Sequence, residues 1–203
     1  MKKTIFFLAT LAMLFVTTSC GGSKTNNTAD ADETVDTMTV DDLLTNAEQY
    51  VDQTVTFEGI CSHLCKHGGR KAFIAGNADN MIIRCEAFPG MDAPFAGETV
   101  HKPLKVTGIF HEERIDEDYL QNLERMEQER AYNINSEGGD VTPGESQSGC
   151  DTERAAQGQA NLTTLNERIA DYRARIAERQ AKEGKDYLSF YYVEATGYEI
   201  LPE

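Results

Sequence analysis

The sequence predicts a mainly β chain with an α insertion: a five-stranded barrel carrying a helical hairpin between strands four and five. Three observations predict it. Segments between residues 54 and 110 alternate apolar and polar side chains with period two, as half-buried strands do. Two of them, Thr54–Ile60 and Leu104–Ile109, are each broken by a glycine (Gly59 and Gly108), as expected where a small barrel's strand bends sharply. From Ile115 the apolar spacing becomes three-four, then returns to alternation in an aromatic-rich stretch, Tyr187 to Ile200.

Each element follows in order. Thr39 or Asp41 caps a short helix whose Leu43, Leu44 and Ala47 face inward. Strand one starts at Thr54 and runs through Ile60 to Cys65. Gly68-Gly69 supplies the positive φ angles of a two-residue hairpin turn, and Lys71–Ala75 is the return strand. Gly76–Asn80 forms the next turn, Met81–Phe88 strand three, and Pro89, Gly90, Pro94 and Gly97 mark a loop. Leu104–Phe110 is strand four. Tyr119, Leu123 and Met126 stripe a first inserted helix, and Asn133–Gly149 reads as its loop. Leu162, Leu165, Ile169, Tyr172 and Ile176 form a coiled-coil-like seam on a second helix, which Gly184 ends. The folded part is thus 38–203, with 116–183 as the hairpin.

Ahead of it, Lys2 and Lys3 precede an apolar run from Ile5 to Val16, shorter than the ~20 residues of a membrane-spanning helix. Thr17-Thr18-Ser19-Cys20-Gly21 follows and resembles the lipobox of bacterial lipoproteins, with Thr17 where leucine is usual. The resemblance implies that residues 1–19 are a cleaved leader. Cys20 is then the acylated first residue, and the protein is anchored to a membrane of the cell envelope, inner or outer. Residues 20–37 are Gly, Ser, Thr, Asn and Asp with almost no large apolar side chains, the composition of a disordered tether.

Tyr50–Gly59 together with Cys65–Lys71 resembles exported, uncharacterised lipoproteins with an OB-fold of the anticodon-binding-like kind. The resemblance covers about residues 40–115 and 186–200, and implies a fold rather than tRNA binding. Charge opposes the latter. The chain has 19 Lys+Arg against 34 Asp+Glu, a formal net charge of −15. Loss of Lys2 and Lys3 with a leader leaves 17 against 34, or −17. Nucleic-acid phosphates and anionic headgroups are both repelled by such a surface, so acyl chains would hold the protein to its membrane.

Two clusters carry candidate chemistry. Cys61, His63 and Cys65 fall on one face of a regular strand, roughly 6.6 Å apart, with His67 at the turn and Cys85 across from them. Two thiolates and two imidazoles suit zinc, or haem ligation, if a bulge gathers them. The competing reading is structural: a disulfide from Cys61 or Cys65 to Cys85, or buried thiols. Lys66, Arg70 and Lys71 flank the Gly-Gly turn, either as an anion-binding spot or as a solvated hairpin tip. Phe190, Tyr191, Tyr192 and Tyr198 offer a stacking face or core packing, and Asp116–Asp118 a helix start. The chain contains no nucleophile elbow, P-loop, dinucleotide fingerprint or HExxH, so a binding module is expected rather than an enzyme. The seam has more apolar residues than the first helix can cover, which predicts a protein partner or homo-oligomer through 116–183.

Overall fold

The computed structural model describes residues 38–66, 68–145 and 150–202. The expected leader, Cys20, the tether and His67 lie outside the described residues. Five strands form a closed mixed barrel: β1 (Thr54–Leu64), β2 (Lys71–Ala75), β3 (Ile82–Glu86), β4 (Pro103–Ile115) and β5 (Leu188–Ile200), in the order β1-β2-β3-β5-β4. All neighbours are antiparallel except β3 and β5, which run parallel. The order is consistent with an OB-like barrel. Among the described residues no helix is long and apolar enough to cross a membrane.

Alternation fills the barrel. Phe57, Ile74, Ile83, Val106, Phe110 and Val193 are fully buried in one core, closed at one end by Val40 and Leu43 of α1 (Val40–Thr45). Gly68 and Gly69 both have positive φ, 78° and 66°, but the link is longer than the expected two-residue turn: the Cys65 N–H bonds to the Lys71 carbonyl and the Gly69 N–H to that of Cys65. The two strand glycines mark backbone crossings. A Cβ on Gly59 would lie 2.7 Å from the Ala75 carbonyl oxygen, and one on Gly108 would collide with that of Glu194. At Gly108 the β4–β5 register slips past Thr196, a bulge that lets the long pair curl closed.

α1 is tied to the barrel by charge. The Asp41 carboxylate accepts hydrogen bonds from the backbone N–H groups of Asn77 (2.7 Å) and Ala78 (2.8 Å) in the β2–β3 turn. These two bonds hold its carboxyl below the ordinary value of 3.8. A folded value that is lowered adds stability above the unfolded value and loses it as pH falls through the folded one. Asp41→Asn is therefore expected to lower the melting temperature at pH 7. The gap from wild type should close below about pH 3.8. Thermal scans across pH 2–7 check this, and a gap independent of pH would exclude the linkage.

Among the described residues three helices, not two, lie between β4 and β5 in the chain: α2 (Glu117–Ser136), α3 (Asp151–Ala156) and α4 (Leu165–Glu183). α3 is too short to carry a periodic signal. Leu162, assigned to the seam helix, precedes α4. Thr164 is the N-cap, and its capping box with Glu167 starts the helix at Leu165. β4 also runs past the expected Phe110 to Ile115, because Glu112, Glu113 and Arg114 pair with Tyr191, Phe190 and Ser189. Asp116 caps α2 by accepting from the Tyr119 N–H at 2.8 Å, so the acid trio is a helix start.

The seam is not left over. Leu165, Ile169 and Tyr172 of α4 are buried with Leu120 of α2 and with Ile115 and Leu188 from the ends of β4 and β5. Counting side chains within the hairpin alone suggested a surplus; the barrel strands supply the missing cover. Arg173 fastens α4 to α2 through Glu117 and Glu124, both at 2.8 Å.

Candidate functional site

The expected Cys/His cluster is dispersed. Cys61 and Cys85 point into the barrel core, fully buried, while His63 packs its ring beside Phe73 at 5.9 Å. Ala72 and Ile74, on either side of Phe73, face the interior with Cys61. The one-residue slip of β1 against β2 between Cys61 and His63 thus separates side chains that a regular strand would align. Cys61, Cys85 and Cys150 are free thiols, so the alternative disulfide to Cys85 is not formed. Burial pushes the Cys61 thiol up, and that of Cys85 far up, which keeps both protonated. Among the described residues, no group of three or more His, Cys, Asp or Glu side chains is gathered for a metal ion.

The basic turn is also divided. Lys66 is exposed, Arg70 lies over the Phe88 ring at 5.5 Å, and Lys71 reaches Glu153 (3.4 Å) and Glu86 (3.8 Å). The β5 aromatics are engaged internally: Phe190 with Tyr172, Tyr191 with Phe110, Tyr192 with His111 and Tyr198 with Phe95.

What the fold does bring together is a chamber on the outside of the barrel wall. Cross-strand pairing sets Phe73 beside Arg84, Arg84 beside Tyr192, and Tyr192 beside His111, on the face away from the core. Side chains of α2, α3 and α4 cover part of this face and, with it, line an open cavity of about 360 Å³. Lys71, Arg84, Glu86 and Glu113 form its floor; Tyr119, Glu153, Gln157, Arg168 and Tyr172 come from the insertion. A second cavity, of about 230 Å³, shares Arg84, Glu153 and Gln157 with it, and adds Phe73, Ile82 and Phe190.

Arg84 is the hub. Its Nη1 reaches Glu153 Oε1 at 3.0 Å, its Nη2 reaches Glu113 Oε2 at 3.3 Å, and its plane covers Tyr192 at 5.0 Å. Nε lies 3.0 Å from Glu86 Oε1, but the N–H is not aimed at it and makes no hydrogen bond, so that contact is ionic only. Burial alone would lower the guanidinium's proton affinity. The carboxylates of Glu86, Glu113 and Glu153 outweigh it and hold the group above its ordinary value. Arg168 is held rigidly, donating to Gln159 (2.8 Å), Gln157 (2.7 Å) and the Tyr172 hydroxyl (3.2 Å). That hydroxyl in turn donates to Gln157 at 2.8 Å. Burial, with the nearby Glu113 charge, pushes Tyr119 up to about 12, so its hydroxyl is a neutral donor across the physiological range.

No family model, no curated protein and no solved structure matches this chain. The site therefore has to be read from its own chemistry. It offers fixed charges of both signs in a recess, an arrangement with the chemistry to bind and orient a charged group. Apart from Lys71, its charged residues were missed in the sequence, because charges alternating on a strand read as a solvated face. The signal that finds them is combined: charged outer positions Arg84, Glu86 and Glu113, and next to them an amphipathic insertion that needs a surface to cover.

Proposed function

We propose that this protein is an envelope lipoprotein, anchored by an acylated Cys20, whose OB-like barrel and helical insertion hold a small polar ligand in the chamber around Arg84. The observation that carries the binding role is the chamber itself. Its volume of about 360 Å³ falls within the range of small-molecule sites, roughly 300–1,000 Å³, and its lining converges charged groups from strands and helices. A nucleic-acid role is disfavoured beyond net charge. OB barrels that bind oligonucleotides use the face of strands two and three. Here that face is engaged by α3 through Glu153.

The anchor is tested by fractionation: Cys20→Ser should move the protein from membranes to the soluble fraction. Binding is tested on the full chain purified in detergent from its own envelope. Native mass spectrometry should find a small organic molecule on the wild type, and less or none on Leu123→Trp, which fills the chamber. A wild-type protein without any adduct would remove the binding reading. Membrane association that survives Cys20→Ser, with no acyl mass on the wild type, would remove the anchor.

A second reading, a protein contact through the insertion, rests on α2, where Met126 is 54% and Tyr132 73% exposed. Self-association lost in Tyr132→Asp, measured by sedimentation, would support it.

A further inference from the structure

The reading of the chamber as a ligand site can be taken to a ligand class. We infer that it takes a small zwitterion, a free amino acid or a dipeptide, with the ammonium group on the carboxylates around Arg84 and the carboxylate toward Lys71 and Tyr119.

The lining carries three bases, Lys71, Arg84 and Arg168, and three acids, Glu86, Glu113 and Glu153. A purely anionic ligand would face three carboxylates, and a purely cationic one three cations. A ligand bearing both charges meets neither penalty, since each end has an opposite partner.

Each carboxylate uses one oxygen within the cluster: Glu86 Oε1, Glu113 Oε2 and Glu153 Oε1. Their second oxygens accept from no protein donor among the described residues and are not sealed from solvent. An ammonium group has three donors and no acceptor, which suits a site with an acceptor surplus. On the other side, Lys71 reaches its acids only at 3.4 and 3.8 Å, longer than the ~2.8 Å of a charge-assisted hydrogen bond. The Tyr119 hydroxyl, a neutral donor, has no hydrogen-bond partner among the described residues. These two donors are available to a ligand carboxylate.

Sugars and nucleobases fit less well. They bind by stacking, and of the two rings lining the chamber, Tyr119 and Tyr172, the latter is already faced by Arg168 and Arg175, each at 6.0 Å, so no pair of open rings is offered.

The test is calorimetric titration of the full chain in detergent with the common free amino acids and Ala-Ala, their N-acetyl and C-amide forms, and a disaccharide. At least one free zwitterion should bind, and blocking either terminus should weaken it by about tenfold or more. Tyr119→Phe should weaken the same ligand by about tenfold while leaving the melting temperature unchanged. A blocked form that binds as well as its parent, or an unchanged affinity in Tyr119→Phe, would overturn the inference. So would failure of the whole panel. If the envelope-purified protein then still carries an adduct that Leu123→Trp loses, only the ligand class is wrong. If it carries none, the chamber reading falls with it.

Discussion

Arg84→Met is expected to destabilise the fold by about 3 kcal/mol, a fall in melting temperature of roughly 6–12 °C for a domain of this size. The Arg84 side chain is 16% exposed, and those of its partners Glu86, Glu113 and Glu153 are 28%, 30% and 18% exposed. Removing it leaves three carboxylates close together and partly desolvated, with Lys71 still touching Glu86 and Glu153 but not Glu113 among the described residues. Breaking a buried pair from one side costs ~3–5 kcal/mol; the residual solvent access here argues for the lower end. Methionine keeps the aliphatic packing over Tyr192, so the change isolates charge rather than volume. Denaturant titration measures the loss. The location of the damage is also predictable. Glu153 is the charged contact of α3 with the barrel wall, so hydrogen exchange should accelerate first in Asp151–Ala156. The double variant Arg84→Met, Glu153→Gln should recover part of the loss, since it removes one of the stranded charges. A single variant within 0.5 kcal/mol of wild type would mean that the cluster is solvated and that Arg84 organises nothing.

How the site escaped the sequence is itself physical. The barrel was legible because period-two alternation, Gly59 and Gly108 are local signals, and each glycine lies where the strand backbone closely approaches a neighbour. Helix α4 was legible for the same reason, from the spacing of Leu165, Ile169 and Tyr172. What failed depended on contacts across the chain. Cys61 and His63 share a face only on a regular strand, and a bulge set by pairing with β2 separates them. Lys71 looked like part of a basic turn because its acidic partners, Glu86 and Glu153, come from β3 and α3. Glu153 is followed by Arg154 on a six-residue helix that no periodicity marks. The chamber is assembled from β2, β3, β4 and all three inserted helices. No window of sequence contains it.

The same distinction between local pattern and long-range cover decides the second large effect, Ile169→Asp, which is expected to cost about 4 kcal/mol or more. Seen on the sequence, Ile169 is the centre of a seam that invites a partner. In the fold it is 2% exposed, packed among Leu120, Leu165, Tyr172, Ile115 and Leu188. Truncating a buried isoleucine costs ~2–5 kcal/mol through lost contacts and the cavity left behind. Aspartate adds the penalty of a carboxyl placed without a partner in an apolar site. The surroundings worsen this, because Glu124 and Glu127 line the same small recess as Ile169 and would repel the new charge. The damage should reach the barrel, since Ile115 and Leu188 are the last residues of β4 and the first of β5. Loss of their cover should fray the β4–β5 pair at that end, while the main core around Phe57 and Phe110 stays intact. Thermal unfolding and sedimentation of the same sample separate the two origins. A core role predicts a large fall in melting temperature at every protein concentration, with sedimentation of the folded protein unchanged. Tyr132→Asp, on the exposed part of α2, serves as the control and should shift stability by no more than about 0.5 kcal/mol. An Ile169→Asp protein that keeps its melting temperature but dissociates from an oligomer would place the stripe at an interface between chains.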